Sequence, residues 1–516
     1  MEFPFYNAAV DLLDRNLTPD RASRIAVIDE SGIHSYSELA ERVNRCGNAL
    51  RELGLLPEQR VLLCHYDSID FPACFLGAIK AGIIPVPINT MWSAADYAYV
   101  LSDSRARAVI VSEARLPVML EAVQISGWNG EIIVSGDGGS AYPELSRLMA
   151  AAPSFCEPYP TRPDDGCFWL YSSGSTGRPK GAVHVHTSLV KTAELYGQGV
   201  LGINADDRIY SAAKLFFAYG LGNALTFPFA VGATSILFAG RPKPPEVNRI
   251  LREQRPTIFF GVPTLFSSLL TSPDLPARAE HALRLCGSAG EALPEPVGRA
   301  WTERTGVEII DGVGSTEMLH CFLSNRPGAV RYGTSGVPVP GYRLRLVDDD
   351  GSEVASGEIG ELQVSGPTVA AGYWNNREKT RLTFLGEWMR TGDKYREDSD
   401  GRLIHCGRSD DMMKVSGLWV SPMEVESALI SHQSVLEAAV VAAKDENGLV
   451  KPKAFIVLKE GIPAGDAMCQ ELQEFVKSRL APYKYPRYIE FMTELPKTAT
   501  GKLQRYILAR RETKAS

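Results

Sequence analysis

The 516-residue sequence has no Cys-x-x-Cys pair and no His-x-x-x-His beside a carboxylate, although it carries nine cysteines and eight histidines. An odd cysteine count without short paired spacing argues against a disulfide framework and a structural zinc site, and fits a reducing compartment. Positive charge is not in excess either: 54 Lys and Arg stand against 61 Asp and Glu, a net charge of −7. That excludes bulk attraction to nucleic acid or to an anionic membrane, while leaving room for a local basic pocket. The start, MEFPFYNAAVDLLDRN, is acidic where a signal peptide would be basic, and the end, ETKAS, carries no prenylation or peroxisomal signal. A cytoplasmic protein is expected. There is also no uninterrupted apolar span. Leu215 to Gly240 holds no charge, but Gly220, Gly222, Asn223, Pro228 and Gly232 break it. A buried core or pocket wall fits this stretch better than a membrane helix, which would be continuously apolar. Internal repeats and low-complexity runs are absent.

What is present has a clear rhythm. Leu39, Val43, Cys46, Leu50 and Leu53 recur at helical spacing before Gly54. RVLLCH, IIPVPIN, AVIVS and EIIVS are buried strands, with helices in FPACFLGAIKAG and SAADYAYVLSDS. Strands alternating with helices predict a largely parallel sheet with helices on its faces, and the pattern continues through TIFFGVP and LRLCGSAG. After about residue 335, short strands joined by Gly and Asp turns predict a β-rich subdomain. Ser421 begins a helix in SPMEVESALI as its N-cap, with Pro422 in the first turn and Glu424 completing a capping box. EAAVVAAK, KAFIVLK and RYIEFM follow as strands, with a helix over 466–480. The fold class is therefore α/β: a large N-terminal domain of several subdomains with parallel-rich sheets plus a β-rich subdomain, and a small α+β C-terminal domain. The boundary is expected in the polar turn Gly407–Asp411, giving domains 1–409 and 410–516.

One stretch carries chemistry on its face. YSSGSTGRPK, residues 171–180, packs hydroxyls and glycines between the apolar segments CFWLY and GAVHVH and ends on a lysine. Glycine permits positive φ and close approach, hydroxyls and backbone N–H groups donate, and Lys180 adds charge, so a polyphosphate is the expected guest. Neither the Walker A spacing nor the dinucleotide GxGxxG pattern is met.

This loop resembles the phosphate loop of the adenylate-forming superfamily of acyl- and aryl-CoA ligases, luciferases and adenylation domains. Four further stretches resemble the family's motifs in order: GSTE at Gly314–Glu317, TGD at Thr391–Asp393, GRSDDMMKVSGLWVSPMEVE at 407–426 and LPKTATGKLQR at 495–505. The resemblance spans essentially the whole chain. It departs at Val313, where many members carry an aromatic residue near the adenine. The resemblance implies ATP, Mg²⁺ and coenzyme A as cosubstrates and cofactor. Ser172, Ser173, Gly174, Ser175, Thr176 and Lys180 would clamp the departing pyrophosphate, Thr316 would bond the α-phosphate, and Glu317 would hold Mg²⁺. Ser288, Ala289, Gly290 and Glu291 would line the adenine with Asp311 near its amino group, while Asp393 and Arg408 would hold the ribose. Lys502 would bridge the substrate carboxylate and the α-phosphate. The C-terminal domain would be mobile, hinged at Asp410, and present Ser416, Gly417 and Leu418 to coenzyme A in the second half-reaction.

KLFFAYGLGN and VGSTEMLHC are similar to the pocket segments of benzoate-type CoA ligases in particular. By that resemblance Phe217, Ala218, Tyr219, Gly314, His320 and Cys321 surround an aryl ring, and the small Cys321 would admit an amino or hydroxyl substituent. The implied partner is a small aromatic carboxylic acid; no nucleic acid or membrane is implied, and a homodimer is compatible. Three readings stay open at this point: an aryl-CoA ligase, a stand-alone adenylation enzyme loading a carrier protein, and a nucleotide-binding protein without turnover. The sequence does not choose between benzoate, 2-aminobenzoate and a hydroxybenzoate.

Overall fold

The computed structural model describes residues 5–136, 141–172, 178–409, 411–415, 418–445, 449–481, 483–497 and 503–515. The strand–helix alternation folds into two parallel-rich sheets. One has four strands in the order Ile84–Pro87, Arg60–Cys64, Ala108–Ser112, Glu131–Ser135, all parallel. Its central strands are buried along almost their whole length, which is why they read as apolar runs and not as alternating ones. Helices Tyr36–Glu52, Asp70–Lys80 and Ala94–Ser104 run between and beside these strands. Tyr36–Glu52 begins on a reciprocal cap, with Ser35 Oγ accepting the Glu38 N–H and Glu38 accepting the Ser35 N–H.

The second sheet has nine strands. Its order is Val337–Pro338, Cys321–Ser324, Ile309–Gly314, Leu285–Ser288, Ile258–Gly261, Arg208–Ser211, Thr234–Ile236, Ile25–Asp29 and Gly32–Ser35. The interior of this sheet is parallel, and the pairing becomes antiparallel beyond Ile309–Gly314 and at Gly32–Ser35. A third, antiparallel sheet pairs Gly166–Ser172 with Lys180–Val185, and Gly372–Tyr373 adds to its edge. The uncharged stretch from Leu215 to Gly240 forms the short helix Ala218–Leu221, a wide π-turn at Gly222–Thr226, the helix Phe227–Val231 and the strand Thr234–Ile236. Among the described residues, no helix is long and apolar enough to cross a membrane.

The β-rich subdomain is antiparallel, with Arg343–Val347, Ile359–Ser365 and Trp388–Glu397 in order and Leu403–Arg408 paired to the last. From Met413 onward the chain has its own core, in which Val420, Val425, Leu429, Val440, Ile456, Leu472 and Val476 pack together. Strands Val435–Lys444, Val450–Leu458 and Tyr488–Phe491 form its sheet. One expectation needs correction here. Ser421 caps helix Pro422–Ile430 by accepting the Glu424 N–H at 3.2 Å, but Glu424 does not close the box. Its carboxylate takes two hydrogen bonds from Lys484 Nζ, at 2.6 and 2.8 Å. A charge-assisted bond to an ammonium outcompetes a neutral backbone N–H for the same oxygens.

Candidate active site

The glycine–hydroxyl stretch leaves one strand of a hairpin and returns on the other, with Ser172 and Lys180 as opposed residues across the ladder. Ser173, Gly174, Ser175 and Thr176 lie outside the described residues. Glu317 approaches the hairpin from the turn between strands Ile309–Gly314 and Cys321–Ser324. Ser172 Oγ donates to Glu317 Oε1 at 3.4 Å, and Tyr373 Oη donates to the same oxygen at 2.7 Å. Lys180 Nζ sits 4.5 Å from the centre of the Tyr373 ring and 3.5 Å from its hydroxyl. Burial pulls the Lys180 ammonium below the ordinary lysine value, Glu317 raises it, and the charges of Lys379 and Arg408 lower it further. An ammonium already surrounded by like charge is a site prepared for an anion. The backbone of this turn is held from below: buried His184 donates from Nε2 to the Thr316 carbonyl at 2.8 Å. Burial lowers His184 to about 4, so the ring is neutral at ordinary pH.

A second cluster gathers beside it. Arg408 donates to Asp393 Oδ1 at 3.1 Å, and His405 Nε2 lies 3.4 Å from the same atom. Burial pushes the Asp393 carboxyl up, but His405 and Arg408 outweigh it, and the group stays below the usual aspartate value. It is therefore a charged acceptor. On the large sheet, Ser288, the last residue of its strand, is opposed in register to Asp311, where the parallel pairing of the two strands ends; α/β sheets bind ligands beyond such carboxyl ends. Burial raises the Asp311 carboxyl well above its ordinary value, and its Oδ1 meets no hydrogen-bond partner. Ala289 is buried behind this end, and Gly290 adopts φ +93°, turning the chain into the Glu291 loop. Burial lowers the Arg505 guanidinium of the last helix, but the Glu426 carboxylate outweighs it, with smaller contributions from the charges of Asp411 and Glu291.

The aromatic cluster expected to take the aryl ring adjoins the same turn as Glu317. Leu319 takes φ +64°, an unusual conformation for a branched side chain, and His320 follows it. The His320 ring is buried against Tyr196, Tyr219 and Phe227, with ring centres 5.3, 5.4 and 4.6 Å away. Gly222 makes this packing fit, because a Cβ there would stand 2.2 Å from His320 Cδ2. Gly314 is constrained in the same way by the His320 carbonyl, 2.5 Å from its own missing Cβ. Cys321 is buried on the adjoining strand, its sulfur 3.0 Å from the place where a Gly312 Cβ would be. Phe217 caps helix Ala218–Leu221, and its ring lies 4.5 Å from that of Phe216. Ala218 and Tyr219, both partly buried, pack on the main core.

The predicted residues thus converge from five chain segments onto the ends of two sheets and one hairpin. Asp410, Ser416, Gly417 and Lys502 lie outside the described residues, and for Leu418 only the backbone is described. Among the described residues no group of three or more His, Cys, Asp or Glu side chains could hold a metal ion. A lone carboxylate fits Mg²⁺ when phosphate oxygens and water supply the remaining ligands. Sequence reasoning did not find Tyr373, His184, His405 or Asn223, which touch the predicted residues directly.

Residues 14–374 match the AMP-binding enzyme family, and residues 424–502 match the AMP-binding enzyme C-terminal domain. A benzoate–CoA ligase of Thauera aromatica is 58% identical over 505 residues, covering 98% of this chain and 95% of that protein. A 4-hydroxybenzoate–CoA/benzoate–CoA ligase of Rhodopseudomonas palustris is 53% identical over 509 residues, covering 98% and 94%. The crystal structure of the anthranilate CoA ligase AuaEII in complex with anthranoyl-AMP superposes with a TM-score of 0.94 at 44% identity, covering 99% of this chain and 98% of that one. The order of motifs, the sheets that carry them and these matches agree: the chain belongs to the AMP-binding enzyme family.

Proposed function

We propose that the protein is an aryl-CoA ligase, converting benzoate or a small substituted benzoate, ATP and coenzyme A to aryl-CoA, AMP and pyrophosphate. One observation carries the reading. The short turn that carries Thr316 and Glu317, with Glu317 against Ser172, ends at His320 among aromatic rings, and Cys321 opens the next strand; this supports a reading in which acid and α-phosphate would meet across the turn. An aromatic lining of this kind suits a flat ring, and the bulk of Tyr219 and His320 opposes a long acyl chain.

A carboxylate is a poor electrophile, and joining it to AMP creates a good leaving group. In the first half-reaction a carboxylate oxygen attacks the α-phosphorus and pyrophosphate departs. The hydroxyl loop with Lys180 would hold the leaving phosphates, and Thr316 would donate to the α-phosphate as its charge shifts. Glu317 would hold Mg²⁺, which supplies charge neutralisation on the phosphates. Asp393 would accept both ribose hydroxyls, since one carboxylate has several acceptor sites. Asp311 Oδ1, buried without a partner, is suited to accept from the adenine amino group. In the second half-reaction the thiol sulfur of coenzyme A attacks the acyl carbon and AMP leaves. We assign the mobile unit to residues 410–516, hinged at Asp410, with Ser416, Gly417 and Leu418 on its coenzyme A side. We place the protein in the cytoplasm; all nine cysteines are free, which suits a reducing compartment.

The test is a panel of benzoates with ATP and free coenzyme A. Pyrophosphate release that depends on the acid, together with thioester formation, is the expected result; pyrophosphate release without thioester would move the reading to a carrier-loading enzyme. A second expectation concerns Tyr373. Tyr373→Phe removes the 2.7 Å donor to Glu317 while keeping the ring under Lys180. A hydrogen bond to a charged group contributes about 1.5–3 kcal/mol, so adenylation should fall roughly 10-fold or more. The apparent Mg²⁺ requirement should rise with it. Unchanged Mg²⁺ dependence would show that the tyrosine only packs.

A further inference from the structure

Three chain segments that carry the phosphate-side residues meet the last turns of one helix, Ala94–Ser104. Tyr171, the residue before Ser172, donates from Oη to Asp103 Oδ2 at 2.6 Å. Arg178, two residues before Lys180, holds its guanidinium carbon 5.1 Å from the centre of the Tyr99 ring. Trp374, the residue after Tyr373, donates from Nε1 to the Asp103 carbonyl at 2.9 Å. Tyr99 and Asp103 stand at i and i+4 and so share one face of the helix. That face meets both sides of the hairpin on which Ser172 and Lys180 are opposed, and the segment whose Tyr373 bonds Glu317. The Tyr171 ring lies flat across the ladder, because its partner there is Gly181, whose Cβ would stand 3.2 Å from Tyr171 Cζ. Burial first, and then the bond to Asp103, raises the Tyr171 hydroxyl, so the phenol keeps its proton and is the donor.

The helix itself has no need of a carboxylate at this place. Its last turn holds no basic residue, and an acidic side chain near the negative end of a helix dipole is unfavourable. Arg60 secures the helix end instead, donating to the Ser104 carbonyl at 2.9 Å and to the Arg105 carbonyl at 3.4 Å. The same guanidinium lies 5.4 and 5.3 Å from the ring centres of Trp169 and Trp374, which are 4.5 Å apart. Helix end, hairpin and the Trp374 segment are therefore one packed block, in which the Asp103 carboxylate is turned toward the hairpin.

We propose that Asp103 is a positioning residue for the first half-reaction: through Tyr171 it sets where Ser172 and Lys180 stand, and so governs how tightly the β- and γ-phosphates of ATP are held. Tyr99 supports the other side of the hairpin through Arg178. The proposal rests on the aryl-CoA ligase reading and deepens its phosphate side. Asp103 touches no substrate in this scheme; it acts only through the strand that Tyr171 begins to leave. Tyr219 and His320, on the acid side, belong to other segments, so the effect should be confined to ATP.

The experiment uses the full chain. It measures KM for ATP and for benzoate in acid-dependent pyrophosphate release, and separately thioester formation from synthetic benzoyl-AMP. Asp103→Ala removes the acceptor, and kcat/KM for ATP should fall roughly 10-fold, mainly as a higher KM, the scale of one hydrogen bond to a charged group. The benzoate KM, and thioester formation from benzoyl-AMP, should stay within about 2-fold of the parent, because neither uses the β- and γ-phosphates. Asp103→Asn keeps an amide oxygen that can accept from Tyr171, and should recover most of the loss. Tyr171→Phe removes only the hydroxyl; it serves where the alanine variant does not fold, and should show the same split. Combining it with Asp103→Ala should add nothing further, since both remove one contact. An unchanged ATP KM in Asp103→Ala or in Tyr171→Phe would overturn the proposal. So would equal losses in the two half-reactions, which mark a merely structural role, or losses that add in the double variant. Absence of acid-dependent pyrophosphate release from the parent would instead overturn the ligase reading.

Discussion

Replacing Lys502 by alanine is expected to lower aryl-AMP formation by roughly 10²–10³-fold, the scale set by removing one positioned donor from a closed site. Thioester formation from supplied aryl-AMP should stay within about 3-fold of the parent, because the carboxylate and the α-phosphate no longer have to be brought together in that step. The segments flanking the 498–502 stretch are tied down. Lys497 and Leu503 pair as an antiparallel bridge, and the Gln504 N–H donates to the Pro496 carbonyl at 2.8 Å. Arg505 makes a two-point contact with Glu426, at 3.0 and 2.6 Å, and Glu426 also accepts the Val440 N–H at 2.8 Å. Such a paired, hydrogen-bonded ion pair fixes orientation more than it adds stability. Lys502 itself would then be presented from a short span between fixed ends. The two half-reactions are measured separately, by acid-dependent pyrophosphate release and by consumption of synthetic aryl-AMP. Equal loss in both would mean that Lys502 shapes the domain and does not act on the carboxylate.

The chain discloses its chemistry unevenly, and the reason is the range over which each interaction acts. Arg60–Cys64 and Ala108–Ser112 were readable as strands because a sheet covered on both faces demands unbroken apolar runs. The motif residues Ser172, Lys180, Glu317 and Asp393 were readable because small hydroxyls, glycines and isolated charges interrupt those runs. The order of the nine-stranded sheet was not readable, since strand pairing is decided by contacts between distant segments. The same holds for the residues that support the site. Tyr373 lies 56 residues from Glu317, Asn223 lies 97 from His320, and His184 lies 132 from Thr316. Asn223 is a lone polar residue in an apolar stretch, and nothing in the local pattern around Tyr373 or His184 points to a partner so far along the chain. Glu424 shows the opposite failure. Its local spacing from Ser421 is that of a capping box, yet Lys484, 60 residues away, takes the carboxylate.

Cys321→Ile is expected to narrow the aromatic pocket and to penalise substituted benzoates. The cysteine is fully buried on the strand that follows His320, facing Gly312, Tyr196 and Ser324. Burial raises its thiol, Tyr196 opposes the shift by hydrogen bonding, and Asp311 adds to it, so the side chain is a neutral, small, apolar group. Tyr196 is itself buried and already packed against Phe227 and His320, which leaves it little freedom to withdraw. The extra carbons of isoleucine must therefore enter the space beside the ring. Overpacking of this kind costs about 1–3 kcal/mol, or roughly 5- to 150-fold in kcat/KM. The cost should fall on 2-aminobenzoate and on 3- and 4-hydroxybenzoate according to which substituent points at the strand, and unsubstituted benzoate should be affected least. The thermal midpoint is measured alongside, because strain shared with the core would lower it by a few degrees without discriminating among substrates. A uniform loss across all four acids, or none in any, would show that substituent tolerance is set elsewhere than at Cys321.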